Sequence, residues 1–168
     1  MCLRLQKFNG KFATPDNKAL VAPFDRGSYM VGFASSGLER YQIPEVYGIA
    51  VKTCTNTKIK EFIFPECLTA IDDYAFGFCS YLTSLTLPAS LGYIGSAAFY
   101  GCSKLESITL QSRSIPEPTT SGRTDFWCPL GRFFDSTNNC PIYVPSNLVE
   151  QYKTADIWTN YASRFVSM

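Results

Sequence analysis

Residues 57–79 read TKIKEFIFPECLTAIDDYAFGFC, and residues 80–102 read SYLTSLTLPASLGYIGSAAFYGC. A shift of 23 residues lays Ile59 on Leu82, Phe62 on Leu85, Phe64 on Leu87, Pro65 on Pro88 and Leu68 on Leu91. The same shift lays Ile71 on Ile94, Ala75 on Ala98, Phe76 on Phe99 and Cys79 on Cys102. Self-similarity at such a period is the signature of a solenoid, in which one unit cannot bury its apolar face alone and stacks on copies of itself.

Each copy has a readable internal order. Phe62-Ile63-Phe64 and Leu85-Thr86-Leu87 alternate with period 2, as a short strand with one buried face does. The proline that follows ends the strand, because it brings no N–H to a ladder. Leu68 and Ile71 then point inward from a second extended or irregular segment. Asp72 or Ser96 stands where it would cap a single helical turn, and that turn carries Ala75-Phe76 or Ala98-Phe99. The phenylalanine is the plug of the repeat, and the alanine lets the next coil approach closely.

Working outward, Leu38, Tyr41, Ile43 and Pro44 follow the order of Leu82, Leu85, Leu87 and Pro88. Val51 and Cys54 then stand where the next copy has Leu68 and Ile71, and no A-F-x-x-C segment follows. Residues 36–56 are therefore expected to form a short, degenerate coil. Residues 1–35 read as a cap: a hairpin turning at Asn9-Gly10, a loop at Thr14-Pro15-Asp16-Asn17 and a strand over 28–33. Such a cover is needed because an open end coil would expose its apolar layer. Downstream, Leu105, Ile108 and Leu110 begin a further coil, but Gln111 replaces the proline, and the Ser, Thr, Pro and Gly of 112–124 predict a surface excursion. Phe133-Phe134 and Cys140 read as a distorted turn, and Ile142-Tyr143-Val144 as a strand ended by Pro145. A helix follows, with Ser146 as its N-cap and Leu148, Tyr152 and Ala155 on one face. Thr159 or Asn160 starts a last short helix over Trp158. One domain, 1–168, is expected: cap 1–35, repeats 36–111, interrupted coil 112–145, helical cap 146–168.

Composition narrows the function. Of 168 residues, 46% are hydrophobic and 17% charged, enough for a core. With 15 Lys plus Arg against 14 Asp plus Glu the net charge is +1, and no basic stripe stands out, which argues against nucleic acid as a partner. No apolar window reaches the roughly 18 residues of a membrane span. The opening MCLRLQKFNGKFA holds no apolar run of secretory-signal length.

The chain has no histidine, which removes Ser-His-Asp and Cys-His nucleophile systems and the commonest metal ligand. Asp72-Asp73 do not make an acid pair, since adjacent side chains diverge and the next copy has Gly95-Ser96. Gly92, Gly95 and Gly101 follow the repeat and form no phosphate loop. Seven cysteines, Cys2, Cys54, Cys67, Cys79, Cys102, Cys128 and Cys140, leave at least one unpaired. Cys79 and Cys102 share a repeat position and read as stacked, buried thiols. Cys128, outside the repeat, has no basic neighbour to lower its pKa and is a poor nucleophile. No enzyme activity, catalytic residue, cofactor or metal site is expected.

The pattern L-x-x-L-x-L-P…L-x-x-I-x-x-x-A-F-x-x-C at 23 residues resembles the BspA-like leucine-rich repeats. The stretch from Tyr29-Met30-Val31 through Gly48-Ile49-Ala50-Val51 is similar to a first coil of that family. Asn138-Asn139-Cys140-Pro141 through Val144-Pro145, with Leu148, Tyr152, Lys153 and Trp158, is similar to its C-terminal cap. The resemblance covers about residues 28 to 165. It implies an α/β solenoid, a short right-handed leucine-rich-repeat superhelix with parallel strands, single helical turns, an N-terminal β cap and a C-terminal helical cap. It also implies a bacterial cell-surface or secreted protein that binds another macromolecule by adhesion.

The residues between the strand anchors are the ones free to recognise a partner. Arg40 and Gln42, Glu61 and Ile63, Ser84 and Thr86, and Ser107 and Thr109 form two columns on the outer face of the sheet. Arg113 and Arg123 of the 112–124 loop are the second expected binding element. Phe78, Tyr81, Tyr93 and Tyr100 read as coil-to-coil packing, with a sticky rim as the alternative. Two functions follow: a module binding a protein or glycan on the strand face or the loop, or a spacer or self-associating scaffold with no separate ligand.

Overall fold

The computed structural model describes residues 47–118 and 131–168 in full, and elsewhere the backbones of strands alone. Strands in the first part of the chain are β1 (Gln6–Phe8), β2 (Lys11–Ala13), β3 (Val21–Phe24), β4 (Gly27–Met30) and β5 (Arg40–Gln42). The repeats supply β6 (Gly48–Ile49), β7 (Glu61–Ile63), β8 (Ala70–Ile71), β9 (Ser84–Leu87), β10 (Tyr93–Gly95), β11 (Ser107–Leu110) and β12 (Glu117–Thr119). The end of the chain holds β13 (Ile142–Val144), α1 (Val149–Thr154), a 3-10 stretch Trp158–Arg164 and β14 (Phe165–Ser167).

Each repeat contributes two strands, one to each of two arrays. The back array is one six-stranded sheet in the order β12-β10-β8-β6-β4-β3. Its repeat strands are parallel and in register, with Gly48, Ala70, Tyr93 and Glu117 in one row and Ile49, Ile71, Ile94 and Pro118 in the next. The front array is in two pieces, β5-β7 and β9-β11-β13-β14. At the N-terminal end, β1 and β2 pair antiparallel, as the expected hairpin requires, and the turn residues Asn9-Gly10 lie outside the described residues. The strand expected over 28–33 is β4, which pairs antiparallel with β3 and parallel with β6, so the cap extends the back array. Thr14-Pro15-Asp16-Asn17, Leu38, Ile43, Pro44, Arg123, Cys2 and Cys128 lie outside the described residues.

Several expectations need correction. First, the repeats contain no helical turn among the described residues; helix is confined to the C-terminal cap. The bend after each back strand is made by left-handed residues at matching positions, Lys52, Tyr74 and Ala97, and then Asn56, Phe78, Gly101 and Ser136. A residue with a Cβ costs about 1–2 kcal/mol in that conformation, so packing must over-determine these turns. Neither Asp72 nor Ser96 caps a helix; instead the Asp73 carboxylate accepts the Ser96 backbone N–H of the next repeat at 2.8 Å. Gly95 makes this possible, since a Cβ there would collide with the backbone of Asp72 and Asp73.

Second, the first repeat does have the turn after its back strand. Ile49, not Cys54, occupies the place of Ile71 and Ile94. The Cys54 N–H donates to Ala75 O as the Phe76 N–H does to Ala98 O, so Cys54 stands where the next repeats have phenylalanine. Third, residues 117–119, expected in a surface excursion, are β12, at the edge of the back array where a proline is tolerated. Fourth, Cys140 is not the cysteine of the last turn. The Phe99 N–H donates to Phe133 O, which puts Phe134 in the plug position, and Thr137 follows it at the spacing that separates Cys102 from Phe99.

The plugs stack. Phe76 and Phe99 lie parallel at 5.2 Å, and Phe99 and Phe134 at 5.7 Å. Beside them run the thiols: Cys79 Sγ donates to Cys54 O at 3.0 Å and Cys102 Sγ to Phe76 O at 3.2 Å. Cys54, Cys79, Cys102 and Cys140 form no disulfide, and burial pushes the Cys54 and Cys102 thiols well above their ordinary pKa.

At the C-terminal end, polar side chains take the place of a further repeat. Arg164 donates to Cys140 O, Phe134 O and the Thr137 hydroxyl, and the Tyr161 hydroxyl accepts the Phe134 N–H. Trp158 is buried as expected, and its indole N–H donates to Pro116 O at 3.2 Å. Ser146 is not a helix N-cap; it opens a 3-10 turn that leads into α1 with no side-chain cap bond.

Candidate functional site

The break in the front array is the feature the repeat pattern does not contain. On the far side of β9 the ladder is regular, with Ser84, Leu85, Thr86 and Leu87 opposite Ser107, Ile108, Thr109 and Leu110. On the near side β9 does not pair with β7, and the contact at its entrance is a long bond from the Thr83 N–H to Lys60 O, 3.5 Å. Side-chain volume changes at the break. Phe64 stands where the next strands have Leu87 and Leu110, and Phe62 where they have Leu85 and Ile108. Phe62, Phe64 and Phe76 form a ring cluster with centroids 4.5–5.5 Å apart. Phenylalanines stand beneath β7 where leucines stand beneath β9, and the ladder is interrupted at that change.

The break opens a groove of about 280 Å³ between β7 and β9, lined by Glu61, Phe62, Ile63, Phe64, Glu66, Ser84, Thr86, Pro88 and Gln111. Four residues expected on the binding face thus meet at one place: Glu61, Ile63, Ser84 and Thr86, all exposed. Ser107 and Thr109 are half-buried and lie one strand away. Arg40 and Gln42 are in register with Glu61 and Ile63 on the other side of β7, their side chains outside the described residues. Arg113 is exposed and does not line the groove.

Other residues of this face were not expected. Glu66, Pro88 and Gln111 reach the groove from the turns after the strands. The outward row of Thr86 and Thr109 continues through Tyr143 and Val166. Tyr143 was legible in the alternation of Ile142-Tyr143-Val144; Val166 was not, because β14 follows a 3-10 stretch with no repeat signal.

Two other surfaces bear on the site. A polar hollow of about 610 Å³ at the C-terminal cap is lined by Asp135, Ser136, Asn139, Asn160, Ser163, Arg164 and their neighbours. Its charges are engaged internally: Asp135 with Tyr161 at 2.8 Å and Arg132 at 3.6 Å, and Arg164 with backbone carbonyls. The aromatic set divides. Tyr100 is half-buried and packs edge-on against Phe78 and Tyr74, whereas Phe78, Tyr81 and Tyr93 stay exposed, Tyr81 under the Lys104 ammonium at 4.8 Å. The carboxyl of Asp72, beside the back array, is pushed up to about 6 by burial and then by the charge of Asp73.

Among the described residues no group of three His, Cys, Asp or Glu is placed to hold a metal ion, and no helix is long and apolar enough to cross a membrane. A family model described as the BspA type leucine rich repeat region matches residues 33–121 with six copies, just over half of the chain. The chain belongs to the BspA-type leucine-rich repeat family. BspA-type repeats are in general non-enzymatic binding modules, and their strands here carry the ladder on to residue 167, past the matched region. A comparison with curated proteins finds no match.

Proposed function

We propose that this BspA-type chain is a non-catalytic, adhesion-type module that binds a macromolecule, protein or glycan, on its front array. The repeats act as a short right-handed solenoid scaffold, and the setting is the cell surface or the secreted fraction, where the family is typically found. The observation that carries the reading is the groove at the break, where Glu61, Ile63, Ser84 and Thr86 meet beside an otherwise regular ladder. A spacer or self-associating scaffold gives no reason for a groove in the front array.

The test is binding of the labelled chain to an array of immobilised extracellular-matrix proteins and glycans. Thr86→Trp fills the groove with a residue that suits a strand and is expected to weaken capture at least tenfold with the circular dichroism spectrum unchanged. Arg113→Glu and Arg123→Glu test the loop as the alternative seat and should leave capture within about twofold. Capture that ignores Thr86→Trp, or follows the loop variants instead, overturns the front array as the binding face.

A further inference from the structure

We infer that the groove between β7 and β9 takes a basic segment of a protein partner, an extended stretch in which a lysine or arginine stands beside an aliphatic residue. This deepens, and rests on, the reading of the front array as the binding face.

Size comes first. About 280 Å³ is room for one or two long side chains, not for a folded element, and the groove runs between two strands whose direction an extended peptide can follow. The wall is the next argument. Ile63, 37% exposed, offers apolar surface beside the buried rings of Phe62 and Phe64, and Pro88, itself buried, closes the wall behind it. The methylene stem of an arginine or lysine lies on such a surface while its charged head stays at a wet rim.

Charge then selects the partner. The charged residues of the lining are Glu61 and Glu66, both exposed, and no lysine or arginine is among them. The Glu66 carboxylate at the rim orients a guanidinium or ammonium and repels an acidic chain. A neutral sugar would leave that charge unused. Ser84, Thr86 and Gln111 complete the site with hydroxyls and an amide, which can both donate to and accept from a peptide backbone. Arg40 is in register with Glu61 on β5, so Glu66 is the position at which the charge is best tested.

The ¹⁵N-labelled full chain is titrated with acetyl-Gly-Arg-Val-Arg-Gly-amide, with the glutamate counterpart acetyl-Gly-Glu-Val-Glu-Gly-amide, and with chitotriose as a neutral glycan probe. The arginine peptide is expected to move the amide signals of 61–64, 66, 84–86 and 111 in a dose-dependent way, more weakly in high salt, while the other two probes leave them in place. Glu66→Gln should weaken that binding by about threefold, the size of an exposed ion pair, and Glu66→Asp should retain more of it. Equal shifts with the glutamate peptide, a response to chitotriose but not to arginine, or no effect of Glu66→Gln would each overturn the basic partner. If Thr86→Trp abolishes array capture while the arginine peptide shifts nothing, the front array stands and the basic segment falls. If array capture ignores Thr86→Trp, the binding-face reading itself has failed.

Discussion

The two arrays of this protein are built from the same repeat and differ in continuity. The back array runs unbroken through six strands, and the front array stops between β7 and β9. Back strands are two to three residues long in the repeats, and the residue that faces the core is isoleucine at each of Ile49, Ile71 and Ile94. In these three repeat strands the same side chain recurs, and each strand pairs with the next. In the front array the inward residues change from phenylalanine at 62 and 64 to leucine at 85 and 87, and the ladder fails there. A repeat protein can therefore make a site without inserting a loop, by changing the volume under one strand.

That comparison can be broken most severely through the plug that both arrays share. Phe99→Ala removes a fully buried ring stacked on two others and should cost roughly 3–5 kcal/mol; urea melts would show it, and a loss under about 1 kcal/mol would contradict the shared core. Gly95→Ala attacks the back array alone. Its methyl would meet backbone at Asp72 and Asp73, which yields little, so a loss of about 2 kcal/mol or more is expected in the same melts.

Phe64→Leu sharpens the comparison by making β7 like β9. Stability should fall by about 1–2 kcal/mol as the ring leaves the Phe62–Phe64–Phe76 cluster, while hydrogen exchange slows at residues 84–87 as the ladder closes. Unchanged exchange would mean that ring volume is not the cause of the break. The smallest effect is expected at Asp72. Its folded pKa, about 6, lies above the ordinary 3.8, so the stability that goes with the protonated form is full below pH 4 and lost as pH rises through 6. Asp72→Asn should therefore stabilise the fold at pH 7.5, by about 1 kcal/mol once the carboxyl's partial exposure is allowed for. The gain should disappear near pH 3.5, and a gain that is equal at both pH values would exclude the carboxyl's charge as its source.

Much of this was legible in the residues. The inward anchors from Ile59 to Cys102, the prolines directly after β9 and β13, and the antiparallel pairing of β1 with β2 are local signals, and the structure agrees with them. The errors have a common origin. Cys54 was aligned with Ile71, and residues 53–57 were denied a turn, because the chemistry at those positions differs while the backbone is the same. Likewise Asp72 and Ser96 look like helix caps one at a time, and only the neighbouring repeat, with Asp73 reaching the Ser96 N–H, explains them. Glu66, Pro88 and Gln111 carried no signal as site residues, since nothing in a single repeat says which strand edges stand apart.

By itself the sequence determined the period, the buried face and the exclusion of histidine chemistry, because alternation and spacing act within one repeat. Tertiary structure decided where the ladder breaks, which outward residues gather at a groove, and that the turns are left-handed rather than helical. Those outcomes depend on the volumes and backbone groups of adjacent repeats added together, a sum over residues some 20 positions apart that no local pattern contains.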